Sequence, residues 1–451
     1  MRFRRALVLL GMTLVVPGSA QLVCGNRSVG RVVVRIWAAL MVLAVLSGLA
    51  IWLDSTFAVQ LATDPSALLV LRVGLMVGAV GWVLLLLDAW RLGEPPSMPR
   101  GSRLALAGIS AALVTALTAP LLMSAQVIAV QRDVLLEVFG DGTAVDAADG
   151  RYNVLLLGGD SGAERWGVRP DSLTLASIDA ETGRTVLLSL PRNLENVPFP
   201  ADSPMGEAFP NGFDCESCYL NSVYTYARTH RTLFPGADNP GLEATVQAVE
   251  TITGLPVHYY AMVNMRGFSE LVDAVGGVTL RVRTEIAIGG GTGAITGTIE
   301  PGVHRLDGEQ TLWYARSRAY DDDYSRMGRQ KCVMAAMLAQ LDPRRVLLHV
   351  QEIARASAQM LSTDIPHQEL DTFVGLALKA RKEPITTVSF VPPMIDTYDP
   401  DYDLIGEKVD AAIARAESTA KPSNGGKTPG AAQSNRAVKA ANHSDDLQST
   451  C

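Results

Sequence analysis

Nearly all of the excess hydrophobicity of the chain lies before Asp133, in four long apolar stretches. The stretches cover residues 6–23, 32–53, 68–90 and 104–130. Each approaches or exceeds the roughly 20 residues that an α-helix needs to cross a bilayer. The first contains a Pro17-Gly18-Ser19 break, which favours a re-entrant or interfacial hairpin over a continuous span. The pattern therefore predicts a helical membrane region over residues 1–131 with three true spans.

Positive charge is distributed unevenly among the connections between these stretches. Arginines precede the second stretch and separate the third from the fourth, whereas the connection 54–70 holds two aspartates and no lysine or arginine. The positive-inside rule places arginine-rich connections in the cytoplasm, so three spans leave the rest of the chain outside the cell. The rival interpretation is a signal peptide cleaved near Gly18-Ser19-Ala20, which would leave the following domain in the cytoplasm.

Strand and helix patterns alternate in the second part of the chain. Runs of β-branched and aliphatic residues predict strands at 152–157, 173–178, 185–190, 259–263, 278–282 and 386–391. Helical periodicity predicts helices at 220–230, 241–253, 266–275, 308–317, 326–341, 344–361 and 367–380, with Gly276 ending one of them and Asp307 capping another. The alternation predicts one α/β domain over residues 151–395, with a central sheet covered by helices. The segment 289–302 reads as a loop or hairpin, and 416–451 as a disordered tail.

Composition narrows the classes of function. The formal net charge is −7, whereas a protein that holds nucleic-acid backbones by charge should be strongly basic. We therefore expect no nucleic-acid partner. The three spans carry no central charge pair, so they are expected to anchor the protein in the lipid bilayer rather than to form a transport pathway.

The five cysteines do not form a metal-ligand pattern. Cys24 lies in an apolar segment and Cys451 ends a polar tail, so neither suggests a shared site. Cys215 and Cys218 form a C-x-x-C without a second pair at zinc-finger spacing. Outside the cell a disulfide is the expected interpretation, and Cys332 could pair with either of these two cysteines. A thioredoxin-like redox motif is the lesser alternative, because no strand clearly leads into a helix here.

Two aspartates lie where the first predicted strand ends and the second begins. The first strand leads into Gly158-Gly159-Asp160, and Arg169 and Asp171 come directly before the next. Ligands of open α/β sheets gather at the carboxyl ends of strands, and paired carboxylates suit an oxygen-loving cation such as Mg²⁺. Turn aspartates that cap loops would produce the same pattern, so the pair alone is a weak signal.

Arginines recur at three further places. Arg192 follows the third predicted strand, and Arg316 and Arg318 lie at the end of a predicted helix. Arg326, Arg329 and Gln330 share one face of the next helix at i, i+3 and i+4. Arg316 and Arg318 can point the same way only if their helix ends there. Crowded guanidinium groups repel one another unless anions neutralise them, and their geometry suits bidentate contact with phosphate. For any single arginine, a solvated salt bridge with the acidic run 321–323 is the more ordinary interpretation.

The order and approximate spacing of five motifs resemble the LytR-CpsA-Psr (LCP) family. The motifs are Leu157-Gly-Gly-Asp160, Arg169-Pro-Asp171-Ser172, Leu190-Pro-Arg192, Tyr314-Ala-Arg316-Ser-Arg318 and Asp323-x-x-Arg326-x-x-Arg329-Gln330. The resemblance extends over 151–393, and the membrane-first arrangement is similar to actinobacterial members. It implies a three-layer α/β domain with a central mixed sheet, an apolar groove for a polyprenyl chain and an arginine-lined pyrophosphate site assisted by Mg²⁺. Asn193 stands where many relatives have aspartate, so no catalytic charge is assigned to it.

The resemblance also implies an activity and roles for the residues. The expected enzyme is a phosphotransferase that ligates a polyprenyl-pyrophosphate-linked glycopolymer, arabinogalactan by the actinobacterial likeness, to peptidoglycan on the outer face of the membrane. The residues expected to bind pyrophosphate are Arg169, Arg192, Arg316, Arg318, Arg326, Arg329 and Gln330. Asp160 and Asp171 are expected to hold Mg²⁺, and the residues expected to be catalytic are Arg192, Arg316, Arg318 and Asp323. Either Asp323 or Asp160 could accept the proton of the acceptor hydroxyl.

Two other functions could use the same arginines. One is a non-catalytic receptor that binds a lipid-linked glycan and regulates wall assembly. The other is a pyrophosphatase, in which water replaces the sugar acceptor.

Overall fold

The computed structural model divides the chain into two compact units, Met1–Leu136 and Glu137–Cys451. It describes residues 2–53, 57, 61–139, 142–159, 169–290, 293–340, 361–418 and 440–451.

The first unit is helical throughout its described part. Its helices are α1 (Arg2–Val15), α2 (Ser19–Cys24), α3 (Arg27–Leu53), α4 (Pro65–Leu92) and α5 (Arg100–Val138). Between α1 and α2 the chain turns at Gly18, whose φ of 87° lies in the left-handed region that glycine adopts without strain. Within the described residues, three helices, in Arg27–Leu53, Pro65–Ser97 and Arg100–Asp133, are long and apolar enough to cross a membrane. They contain the apolar stretches 32–53, 68–90 and 104–130 of the sequence.

The second unit contains a seven-stranded mixed sheet in the order β11-β10-β3-β2-β1-β4-β9. Its strands are β1 (Arg151–Gly159), β2 (Pro170–Asp179), β3 (Thr185–Leu190), β4 (Tyr259–Asn264), β9 (Leu361–Thr363), β10 (Ile385–Ser389) and β11 (His443–Ser444). β1 is antiparallel to β2 and parallel to β4, and β3 is antiparallel to β2 and parallel to β10. Four further strands form two hairpin-like pairs: β5 (Val278–Val282) with β8 (Gly302–Leu306), and β6 (Ile286–Gly289) with β7 (Ile295–Ile299).

Helices cover both faces of the sheet. They are α6 (Pro204–Ala208), α7 (Leu220–Thr229), α8 (Pro240–Thr253), α9 (Met265–Ala274), α10 (Gly308–Arg316), α11 (Asp323–Gln340), α12 (Leu370–Ala380), α13 (Tyr402–Glu417) and α14 (Leu447–Thr450). Alternate residues of a strand point to opposite faces, so Leu155 and Leu157 pack with α7, α8 and α13, whereas Leu156 packs on the side of α11. The α/β class with a central mixed sheet and helices on both faces, expected from the sequence, is confirmed.

Most of the predicted elements lie within one or two residues of the observed ones. The structure adds the short strands β8, β9 and β11 and the helices α6, α13 and α14, which the hydrophobic pattern did not reveal. Strands β6 and β7 form a hairpin that overlaps the segment 289–302, which was expected to be a loop or hairpin. Gly276 follows α9 with a φ of 86°, and Asp307 caps α10 in a capping box with Gln310, as expected. The predicted helix at 344–361 falls almost wholly outside the described residues.

The disulfides differ from the expectation. Cys215 and Cys218 are bonded to each other, but Cys332 on α11 is bonded to Cys451 and not to the C-x-x-C. The expectation that Cys332 pairs with Cys215 or Cys218 is therefore wrong. Its error came from treating Cys451 as part of an unstructured tail. Cys24 is free and exposed.

The expected end of the domain at residue 395 and the expected disorder of the whole segment 416–451 are also wrong. Helix α13 continues the domain to Glu417, beyond the expected end at residue 395, and buries Ile405 and Val409 in the main core. Residues 440–451 return to the sheet, where β11 pairs with β10 and Leu447 is fully buried. A polar composition hid these contacts, because few of them are apolar. The segment is held largely by strand pairing, the hydrogen bonds of Asn442 and the Cys332–Cys451 bond.

The long-range disulfide yields a stability prediction. Replacing Cys451 by alanine should lower the free energy of unfolding by about 2–5 kcal/mol, because the bond closes a loop with a sequence separation of 119. The measurement is denaturant unfolding of the full chain in detergent, with Cys24→Ala as the matched control. A Cys451→Ala variant as stable as that control would contradict the prediction.

Candidate functional site

A cavity of about 600 Å³ lies between the sheet and helices α9, α10 and α11. Its volume falls within the range of small-molecule sites, roughly 300–1,000 Å³. The apolar residues that line it are Leu156, Leu157, Ala261, Val263, Met265, Phe268, Leu271, Leu312, Ala315, Val333, Met334 and Met337. At Gly158 an added Cβ would lie 3.1 Å from the Cβ of Ser172, so glycine keeps β1 and β2 close at the cavity wall.

Polar and charged side chains from three parts of the fold share this cavity. They are Asp171 and Ser172 of β2, Arg316 and Arg318 at the end of α10, and Arg326 and Gln330 of α11. Helix α10 ends at Arg316, and Ser317 leaves helical geometry with a ψ of 138°. This break is the condition under which Arg316 and Arg318 were expected to point the same way.

Asp171 is held as an anion by its neighbours. Its Oδ1 accepts hydrogen bonds from Arg192 Nη1 at 2.8 Å and from Asn221 Nδ2 at 3.1 Å. Burial alone would raise the pKa of Asp171, but these bonds and the charges of Arg192 and Arg326 outweigh it and lower the pKa. The carboxylate therefore stays ionised at neutral pH and fixes the guanidinium of Arg192.

Asp323, at the start of α11, joins three guanidinium groups. Its Oδ1 lies 3.3 Å from Arg318 Nη1 and 3.6 Å from Arg192 Nη2, and its Oδ2 accepts a hydrogen bond from Arg326 Nη2 at 3.0 Å. A single carboxylate thus holds together cations that come from β3, α10 and α11. Since one negative charge faces three positive ones, the cluster retains a net attraction for a polyanion.

Arg326 is the most buried of the arginines at the cavity, with a side chain 7% exposed. It also donates to the backbone carbonyl of Asp171 at 3.1 Å, while its Nε has no hydrogen-bond partner within the described residues. Burial lowers its pKa, and Asp323 opposes that effect. A buried donor without a partner is costly, which favours a site that a ligand or a water completes. A second cavity of about 10 Å³, roughly one water in size, adjoins Arg326.

Gln330 and Arg316 are oriented by local contacts. Gln330 Oε1 accepts a hydrogen bond from Ser172 Oγ at 3.1 Å, and its Nε2 donates to the carbonyl of Ala315 at 3.3 Å. The guanidinium of Arg316 lies 4.8 Å from the ring centroid of Trp313. These side chains are fixed at the wall of the cavity before any ligand arrives.

The structure does not bring every expected residue to the cavity. Arg329 is 1% exposed and donates to the carbonyls of Tyr314 and Ser317 and to Asp321, so it ties down the loop between α10 and α11. Arg169 is exposed immediately before β2. Asp160 lies outside the described residues. Asn193 donates to Thr397 Oγ1 at 3.0 Å.

The i, i+3, i+4 argument for α11 failed at one position. Arg326 and Gln330 both reach the cavity, but Arg329 turns toward the carbonyls that the end of α10 leaves open. A helix C-terminus attracts cations because its last carbonyls have no helical partners. Periodicity could not show that this competing site lies beside Arg329.

Sequence reasoning also missed two residues beside the cluster. Asn221 of α7 supports Asp171, and Lys331 of α11 is fully buried, with its amine donating to Ser389 Oγ and, at 3.1 Å, to Asn442 Oδ1. Lys331 lines the small cavity together with Arg326 and Gln330. The available signal was weak: Lys331 adjoins the apolar run 332–338 of the predicted helix, and a lysine is rarely buried without a specific partner.

The oxygen ligands needed for a cation are only partly within the described structure. Of the two carboxylates expected to hold a cation, Asp171 lies within the described residues, and its Oδ1 accepts hydrogen bonds from Arg192 and Asn221. Within the described ranges no group of three or more His, Cys, Asp or Glu side chains could hold a metal ion. One carboxylate with substrate oxygens and water fits the way Mg²⁺ is usually bound beside phosphates.

The fold and site together define an α/β domain built around a cationic pocket that opens into an apolar cavity. The model of the LytR_cpsA_psr family matches residues 123–408, which is more than half of the chain. The chain belongs to the LytR-CpsA-Psr family.

Individual relatives share less of the chain. Biofilm regulatory protein A of Streptococcus mutans is 29% identical over 243 residues, which are 50% of this chain and 55% of the relative. The polyisoprenyl-teichoic acid–peptidoglycan teichoic acid transferase TagU of Oceanobacillus iheyensis is 30% identical over 239 residues, or 52% of this chain and 65% of that protein. The chain therefore spans less than two thirds of the length of either relative. The LytR-Csp2A-Psr enzyme from Actinomyces oris covers 60% of this chain and 92% of its own, at 19% identity and a TM-score of 0.42.

Buried Lys331 yields a prediction for stability against pH. Burial lowers the pKa of its amine from 10.5 to about 7, so between these values the unfolded chain binds a proton that the folded chain lacks. The free energy of unfolding should therefore rise with pH in this window, by at most about 1.4 kcal/mol per unit. Lys331→Met removes this contribution. The measurement is the difference in unfolding free energy between wild type and variant at about pH 7, 8 and 9, and equal slopes would refute the assignment.

Proposed function

We propose that this protein is a membrane-anchored phosphotransferase that moves a glycopolymer phosphate from a polyprenyl pyrophosphate carrier to peptidoglycan. The observation that carries the proposal is that charged groups and an apolar surface line one and the same cavity. Arg316, Arg318, Arg326 and Gln330 line the same cavity as a wall of leucine, methionine and phenylalanine side chains. A lipid pyrophosphate has this division, an anionic head joined to an apolar tail.

The cavity chemistry supports a polyprenyl tail. Burial of apolar surface contributes about 25 cal/mol per Å², so each isoprene unit that enters gains affinity without needing a polar partner. The methionines Met334 and Met337 on α11 add flexible, polarisable surface that can adapt to branched chains. An aqueous phosphate or a free sugar would leave these walls without a partner.

The arginine cluster supports transfer at phosphorus. The hydroxyl oxygen of the acceptor attacks the glycan-linked phosphorus, and the bond from that phosphorus to the bridging oxygen breaks. Polyprenyl phosphate then leaves with the bonding electron pair. Cations already held by Asp171 and Asp323 would stabilise the charge that moves onto the leaving phosphate, without reorganising during the step.

The proton of the acceptor hydroxyl passes to a base. Asp323 and Asp160 are the candidates from the sequence. The three guanidinium contacts of Asp323 suit it to orienting arginines. We therefore propose Asp160, which follows the last described residue of β1, as the acceptor of the proton.

Mg²⁺ is part of the proposal. Asp171 would hold it, with Asp160 as the second carboxylate. The ion would supply charge neutralisation at the pyrophosphate. Arg169, which is exposed immediately before β2, would contact a phosphate group of the donor pyrophosphate near Asp171.

The proposal also specifies which polymer is transferred and on which side of the membrane the second unit lies. The TagU relative is named for teichoic acid, whereas the actinobacterial likeness of this chain favours arabinogalactan. The arginine distribution around the three apolar helices favours an extracytoplasmic position of the second unit, the side on which peptidoglycan lies.

One incubation separates transfer from its two alternatives. The full chain in detergent is mixed with lipid-linked polymer, Mg²⁺ and peptidoglycan, and the products are separated. Covalently attached polymer supports transfer, and free phosphorylated glycan supports a pyrophosphatase instead. Unchanged donor supports a binding regulator and would overturn the proposal.

Arg318 provides a mutational prediction. Arg318→Ala should lower the transfer rate by about 100-fold or more, because it removes a cation from the developing phosphate charge. Arg266→Ala is the matched control, since Arg266 is exposed and pairs with Glu270 on α9. The measurement is the initial rate of polymer attachment, and an Arg318→Ala rate equal to that of the control would refute the proposed role.

Ala261 of β4 tests the apolar part of the site. Ala261→Trp should fill the cavity and raise the KM for a long-chain donor by about tenfold or more, while a donor analogue with a single isoprene unit is much less affected. Val303→Trp, on exposed β8, is the control for adding a large side chain. An equal effect on long and short donors would count against a tail-binding cavity.

A further inference from the structure

Residues 440–451 pack on the helix that carries much of the site. Strand β11 pairs with β10, placing Thr387 opposite Ser444, and the Cys332–Cys451 disulfide joins the end of the segment to α11. Leu447 is buried in the same apolar cluster as Cys332. Backbone, covalent and apolar contacts all hold this C-terminal segment against the domain.

Asn442 is the polar centre of this contact. It is 2% exposed, and its Nδ2 donates to the carbonyl of Tyr324 at 2.9 Å, in the first turn of α11. Its Oδ1 accepts hydrogen bonds from the amine of Lys331 at 3.1 Å and from Ser389 Oγ at 3.0 Å. One side chain therefore contacts α11 at two points that are about two turns apart.

Lys331 links the same helix to the sheet. Its amine reaches Ser389 of β10 as well as Asn442, whereas Arg326 and Gln330, on the same helix, line the large cavity. A buried amine with two neutral oxygen partners costs stability, and strongly perturbed groups of this kind gather near functional sites. Because a helix behaves as a rigid unit, fixing Lys331 and Tyr324 also fixes the direction of the side chains between them.

We infer that Asn442 and Lys331 are positioning residues of the donor site. The C-terminal segment holds α11 at the rotation that aims Arg326 and Gln330 into the cavity. Neither residue is assigned contact with the donor, so both act through the helix. The inference rests on the proposed function, because it takes the cavity as the place where a lipid pyrophosphate binds.

The test uses farnesyl pyrophosphate as the probe and the full chain in detergent, at a temperature well below the unfolding of every variant. Asn442→Ala removes both contacts with α11 and should weaken the Kd about tenfold. Asn442→Asp keeps the acceptor for Lys331 but loses the donor to the Tyr324 carbonyl, so it should weaken the Kd less than Asn442→Ala does. Asp445→Ala, which removes an exposed partner of Arg415 in the same segment, is the matched control and should bind as wild type does.

Hydrogen exchange of α11 without ligand is the second measurement. Asn442→Ala should speed exchange of the backbone amides between residues 323 and 331, and Asn442→Asp should restore protection near Lys331 but not near Tyr324. Unchanged Kd in Asn442→Ala, even with a lower unfolding temperature, would overturn the inference, because a merely structural role predicts that result. If wild type does not bind the probe, the proposed function fails, and unchanged exchange in Asn442→Ala would then overturn the inference separately.

Discussion

The site depends on holding several guanidinium groups close together before any phosphate arrives. Like charges at this separation repel, and burial makes the repulsion stronger because the local dielectric constant is low. Asp171 and Asp323 solve this by accepting hydrogen bonds or ion pairs from Arg192, Arg318 and Arg326. Two carboxylates reduce the repulsion enough to hold the arginines together. They do not neutralise all of the positive charge, so the cluster still attracts a pyrophosphate. The acidic run 321–323 suggested a solvated salt-bridge surface, but its last residue, Asp323, instead holds the arginines of the cationic pocket together.

Helix α11 carries this arrangement because it serves three surfaces at once. Arg326 and Gln330 face the cavity, and Arg329 donates hydrogen bonds to carbonyls at the end of α10. Lys331 and Cys332 contact the sheet and the C-terminal segment. A helix that makes polar contacts on several of its faces cannot have a single continuous apolar stripe. Its position must then be set by specific contacts rather than by hydrophobic packing alone, which is why its partners include buried hydrogen bonds and a disulfide.

The parts of the structure that could be predicted are those controlled by local pattern. β3 and β5 begin and end where their apolar runs do, and Asp307 caps α10 because its side chain meets backbone donors three residues away. The cavity arginines followed from motif spacing. The role of Arg329, the Cys332–Cys451 bond and the fold of residues 440–451 could not be predicted, because each depends on a partner that is distant in sequence and chemically unremarkable until the chain has folded. Periodicity reports which face of a helix is polar, and it does not report which neighbour that face meets.

The same reasoning explains why an apparently featureless end of the chain can matter to the site. A strand at the edge of a sheet leaves its backbone donors and acceptors open, and β11 covers part of that edge on β10. Once it is there, Asn442 lies beside both Ser389 and Lys331, so the pairing that protects the sheet also supplies an oxygen for a buried amine. Edge protection and helix positioning therefore follow from one contact. A change in the C-terminal segment should reach the cavity through α11, although no residue of that segment is assigned to it.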